Sequence, residues 1–186
     1  MGTTCGFRIY SLNPFKEIVN SELFPIESQT SFVGGISQVA VLYQTQIVTL
    51  AGVATNDKLS HKAVLFKLNK QILIFDCHQK KQLHERTFTI AILNLLMVRD
   101  RLIVVTESNV CVYNIINNFS IEQEIKTFAN PYAICAINSD DKAFLLATLG
   151  KTKGTLRVDE YKSKFTTVIK VFENSIQNIS ISQSVI

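Results

Sequence analysis

An all-β fold is the expectation for this 186-residue chain, and three features of its sequence carry it. Ile, Val, Leu, Thr and Phe recur throughout, while Ala-, Glu- and Lys-rich blocks of helical period are missing. Short apolar alternations return repeatedly, each ending at Asn, Asp, Gly or Lys, as in antiparallel strands joined by tight turns. One strand pattern also repeats: Phe7-x-Ile9-Tyr10, Ile72-x-Ile74-Phe75, Val110-x-Val112-Tyr113 and Leu156-x-Val158-Asp159.

In chain order, strands are expected at Phe7 to Ser11, Ile36 to Leu42, Ile47 to Ala51, Ile72 to Asp76 and Ile90 to Leu96. Further strands follow at Leu102 to Thr106, Val110 to Asn114, Tyr132 to Asn138, Ala143 to Thr148 and Thr155 to Asp159. The four repeated strands read as the closing strand of one blade each. Ile72 and Val110 lie about 38 positions apart and Val110 and Leu156 about 46, near the β-propeller blade period of roughly 40 to 45. From Phe7 to Ile72 the interval is about 65. The excess falls on Val53 to Leu68, where Asn56-Asp57-Lys58 and Ser60-His61-Lys62 mark a long loop.

The expected architecture is therefore one incomplete β-propeller domain, an open fragment of about three blades built from four-stranded antiparallel sheets. The end of a first blade occupies about 1–33, a second blade 34–83 with its long loop at 53–68, a third 84–128 and a partial fourth 129–186. One sheet cannot bury both of its faces, so stacked neighbours must supply the core. Leu93, Leu95, Val104, Val110 and Val112 are the buried residues expected of the third blade.

A hydrophobic fraction of 47% fits an ordered body rather than disorder. The net charge of +4 is scattered, with no basic block to serve as a nucleic-acid tail, so nucleic acid is not an expected partner. Cys5, Cys77, Cys111 and Cys135 show no Cys-x-x-Cys spacing and no signal peptide opens the chain, which fits a reducing, cytoplasmic setting. The most apolar run, Ile90 to Val98, is broken by Asn94 and followed by Arg99, too short to span a bilayer; any membrane contact is peripheral.

No catalytic or metal site emerges, and no cofactor is expected. His61, His78 and His84 have no Cys or carboxylate at ligand spacing, and Cys77-His78 would point to opposite faces of a strand. The carboxylates sit singly at turns; the adjacent Asp140-Asp141 belongs to an Asn-Ser-Asp-Asp-Lys turn rather than an acid/base pair. Gly34-Gly35 and Gly150-x-x-x-Gly154 lack the context of a phosphate cradle. Lys151, Lys153 and Arg157 form a small basic cluster, open to two readings: a solvated turn or a contact for anionic lipid.

Several stretches resemble the PROPPIN family, the phosphoinositide-binding WD-repeat-like propellers of autophagy. Gly6-Phe7-Arg8-Ile9-Tyr10-Ser11-Leu12-Asn13-Pro14-Phe15 is similar to the family's first-blade closing strand, and Gly34-Gly35-Ile36 with Val39 and Leu42 to its second-blade opening. The third blade carries most of the likeness: Ile74-Phe75-Asp76, Lys80-Lys81, Phe88, Arg99 to Val105, Val110-x-Val112-Tyr113 and Asn130-Pro131-x-x-x-Cys135-Ala136. The family's Phe-Arg-Arg-Gly element, which binds phosphatidylinositol 3-phosphate, is absent; Ala133 stands where Gly is common, Thr148-Leu149-Gly150 replaces a Pro-Gly corner, and there is no Trp. The first blade is expected to lack its early strands and the fourth to be only begun.

The resemblance implies an autophagy scaffold, not an enzyme, that recruits autophagy proteins at phagophore or endosomal membranes. It implies binding to phosphatidylinositol 3-phosphate membranes only where later blades are present. Arg99 and Arg101, at a blade junction, and His61 and Lys62, in the long loop, fall where the family contacts partners. For the arginines a solvated turn is the competing reading. A generic propeller interaction module without lipid binding is the alternative for the whole chain.

Overall fold

Strands buried on both faces need unbroken apolar sequence, whereas strands at a sheet's rim do not. That contrast organises the molecule. The computed structural model describes residues 2–3, 6–20, 36–42, 47–52, 71–79, 81–138 and 144–182, and every regular element among them is a β-strand. β1 (Gly2–Thr3), β2 (Gly6–Leu12) and β3 (Phe15–Asn20) form a three-stranded sheet in that order. β4 (Ile36–Val41), β5 (Ile47–Gly52), β6 (Gln71–Asp76) and β7 (Lys81–Thr87) form a four-stranded meander. So do β8 (Ile92–Val98), β9 (Arg101–Thr106), β10 (Asn109–Asn114) and β11 (Ser120–Lys126). The last sheet is β12 (Cys135–Asn138), β13 (Leu145–Leu149), β14 (Thr155–Glu160) and β15 (Phe165–Lys170), again in sequence order.

The chain divides into two compact units, Met1–Met97 and Val98–Ile186. In the first, Phe7 and Val19 pack with Ile36, Val48, Leu50, Phe75 and Cys77, so two sheets share one core, as stacked blades require. In the second, Leu102, Ile103, Val104, Val105, Val110 and Val112 are wholly buried, each contributing about 1.5–3 kcal/mol. These are the middle strands of their sheet.

The structure corrects the sequence reading at the rims. β3, β7, β11 and β15 follow the repeated strands and lie at the outer edge of each sheet. The repeats are therefore the last strand but one of each blade, not the closing strand. Outer strands such as β7 and β11 lack an apolar alternation because solvent meets most side chains of Leu83 to Thr87 and of Ser120 to Lys126. β7 runs to Thr87, across the 83/84 division placed by repeat spacing. The strand expected from Tyr132 begins only at Cys135, because 131–132 form a turn, and Tyr132 is exposed. The strand expected from Ile90 starts at Ile92, and it half-buries Leu93 while burying Ile92, Leu95 and Val98. The long loop at 53–68 and the Asp140-Asp141 turn lie outside the described residues.

Candidate functional site

The turn before β9 places Arg101 at the start of a buried strand, so its stem is covered while its guanidinium reaches the rim. Arg99, in the same turn, is exposed with φ of 53°, in the left-handed region that costs a side-chain-bearing residue. Arg101 is fully engaged within its own unit. Its Nε donates to Glu122 Oε2 at 2.9 Å and its Nη2 to Glu122 Oε1 at 3.1 Å, the bidentate fork that Arg alone offers. Nη1 donates to Asp100 Oδ1 at 2.7 Å. The guanidinium also lies 4.9 Å from the Tyr161 ring centre and 5.3 Å from that of Phe144.

Tyr161 carries the arrangement onward. Its hydroxyl donates to Gln123 Oε1 at 2.5 Å, and Gln123 Nε2 donates to Asp159 Oδ1 at 3.4 Å. Burial works against the Asp159 charge, but hydrogen bonds from Arg157 at 2.7 Å and Thr166 at 2.6 Å hold its carboxyl below the ordinary value. Asp159 in turn pushes the Arg157 guanidinium up, and burial pushes up the Tyr161 phenol. Gln123, on β11, thereby ties two adjacent sheets through side chains of β14 and the turn after it. A cleft of about 320 Å³ opens beside them, lined by Glu122, Glu160, Lys164, Phe165 and Thr166 among others.

A second hollow, of about 300 Å³, lies against the segment joining β11 to β12. Its walls include Phe128, Pro131, Tyr132, Leu149 and Ile176. Asn130 is buried and shapes this segment: Ile134 N donates to its Oδ1 at 2.7 Å and its Nδ2 donates to the Ile134 carbonyl at 3.1 Å. The distinctive Asn-Pro element is thus a clamp on the chain path. Ala133 has φ of 53°, which explains why Gly suits that place.

Of the residues singled out from sequence, Arg99 and Arg101 sit at one turn, while His61 and Lys62 lie outside the described residues. Arg157 leaves the proposed basic cluster, since Asp159 takes its guanidinium; Lys151 and Lys153 stay exposed. His78 is exposed in the turn where Asp76 Oδ1 accepts from His78 N and Gln79 N, whereas Cys77 is buried. Among the described residues no three His, Cys, Asp or Glu side chains converge as metal ligands, and no helix is long and apolar enough to cross a membrane. Sequence reasoning missed Glu122 and Tyr161. The signal for Glu122 was a charged strand without alternation, and Tyr161 lies just past a strand end.

No family model matches the chain. It is 22% identical to Autophagy-related protein 18 of Dictyostelium discoideum over 98% of this chain and 44% of that protein. Against Autophagy-related protein 18 of Phaeosphaeria nodorum it is 30% identical over 76% of this chain and 28% of the relative. The fold matches Kluyveromyces lactis Hsv2 with a TM-score of 0.65 at 13% identity, covering 94% of this chain and 46% of Hsv2. It also matches KlAtg21, solved in complex with the coiled-coil of AgAtg16, with a TM-score of 0.63 at 18% identity, over 92% of this chain and 51% of that one. The chain thus spans less than half the length of the curated relatives it matches. Its sheets are blades of a partial β-propeller.

Proposed function

Because the chain belongs to the PROPPIN family of autophagy-related propellers, we propose that it is a non-catalytic scaffold that recruits autophagy proteins to membranes. One observation carries the reading: Autophagy-related protein 18 of Dictyostelium discoideum and Autophagy-related protein 18e of Arabidopsis thaliana align with 98% and 95% of this chain. KlAtg21 was solved with a coiled-coil, and a partner of that kind is the one we assign to this chain. Arg99 is exposed at the hairpin turn between β8 and β9 of one sheet, not at a junction between blades as the sequence suggested, and is the proposed contact for a partner carboxylate, with His61 and Lys62 as further contacts. Arg101 supports that turn from beneath, its own charge being taken by Glu122 and Asp100. The chain holds no Phe-Arg-Arg-Gly run, so on this reading recognition of phosphatidylinositol 3-phosphate belongs to the parts of the relatives that the match does not cover.

The test is a pull-down with the full chain against the coiled-coil of an Atg16 protein, in wild type and Arg99→Glu. Retention by wild type with about tenfold loss in the variant is the expected result. Failure to retain this or any other autophagy protein would leave the generic interaction module as the reading.

A further inference from the structure

The four outer strands differ in how they guard their free edges. In β3, β7 and β11 the pairing with the inner neighbour slips by one residue, leaving Ile18, Leu83 and Glu122 without a partner opposite. Such bulges twist an edge away from new strands, and charges such as Lys16 and Glu17 in β3 or Glu85 and Arg86 in β7 discourage pairing further. β15 has neither defence. It pairs with β14 without a slip from Thr155↔Lys170 to Glu160↔Phe165, and Lys170 is its one charge. Phe165, Val168 and Ile169, and Val171 just beyond, are all exposed.

The direction of its free backbone groups follows from two hydrogen bonds. Val171 N donates to the Gly154 carbonyl, and Gly150 N to that of Thr155, so alternate residues of β15 turn their amides towards β14. Thr166, Val168 and Lys170 therefore point theirs outward. We propose that this edge pairs with the same edge of a second copy of the chain, antiparallel, about a two-fold axis at Val168. Outward residues must meet outward residues, which places Val168 opposite its own copy and Thr166 opposite Lys170. The other face then sets Phe165 against Val171 and Thr167 against Ile169. Aromatic and β-branched side chains meet across the join, and no like charges stand directly opposite. A single strand pair is a small contact, so the dimer is weak and depends on concentration. The inference stands apart from the scaffold reading.

Sedimentation equilibrium of the full chain over a hundredfold range of concentration, about 1 to 100 µM, is the test. The wild type should pass from monomer to dimer. Val168→Lys sets two ammonium groups face to face at the axis, and Val168→Pro removes an outward amide without touching a bond to β14. Both should remain monomeric with unchanged circular dichroism, while Ile121→Lys on β11 should dimerise like the wild type. A wild type that stays monomeric, or a dimer that survives both Val168 substitutions, overturns the proposal.

Discussion

Asn130 holds Ile134 by both of its backbone groups, accepting from the amide and donating to the carbonyl, in a site that is closed to solvent. The Asn side chain stands in for a strand partner where no strand can run, since Pro131 has no amide to give. The Asn130 side chain fixes the end of the segment between β11 and β12, whose start is held by backbone bonds from Thr127 N to the Ser108 carbonyl and from Phe128 N to the Gly150 carbonyl. Asn130→Ala should therefore destabilise the protein by about 2–4 kcal/mol, two hydrogen bonds lost and two buried backbone groups orphaned. A urea midpoint unchanged by the substitution would contradict this.

Ala133 and Gly154 both have positive φ, 53° and 73°. Replacing Ala133 by Gly relieves a left-handed conformation and should stabilise by about 0.5–1 kcal/mol. Gly154→Ala should do the opposite and by more, since a Cβ there would meet the carbonyl oxygen of Phe172, whose amide donates to the Gly154 carbonyl. Thermal melts of the two variants should move in opposite directions.

The Asp159 network gives stability an acid limb. Its folded value lies below the unfolded one of about 3.9, so its contribution is present above that pH and is lost as the pH falls through the folded value. Asp159→Asn should flatten the pH dependence of the urea midpoint below about pH 4 and lower the plateau above it by about 2 kcal/mol. An unaltered acid limb in the variant would show that other carboxylates carry it.

How far the fold could be read from the sequence follows the same physics. β9 and β10 were legible because Leu102 to Val105 and Val110 to Val112 are buried on both faces, and burial demands an apolar run. β7 and β11 were not, because an outer strand answers mainly to solvent. At the candidate site, Arg101 stood out as a cation before an apolar strand. Its partners Glu122 and Tyr161 come from residues 21 and 60 positions further on, Glu122 brought near by strand pairing within one sheet and Tyr161 by the stacking of the next. Ala133 drew notice as a departure, and its positive φ gives that departure a physical meaning.

Lipid recognition gives a prediction of its own. The full chain, floated with liposomes at matched charge and physiological salt, should not prefer phosphatidylinositol 3-phosphate to phosphatidylserine. Weak binding to both, through exposed Lys151 and Lys153 and the net charge of +4, should fade with added salt. Clear preference for the phosphoinositide would place a lipid site within these blades.

The account's central claim is that this chain serves autophagy as a scaffold, and loss of its gene tests that most directly. Starvation-induced turnover of a lipidated autophagosome marker, measured with and without lysosomal inhibition, should fall in the deletion strain. Wild-type chain should restore it, and Arg99→Glu should restore it less. Turnover equal to that of the parent strain, with no change in autophagosome number, would contradict the claim.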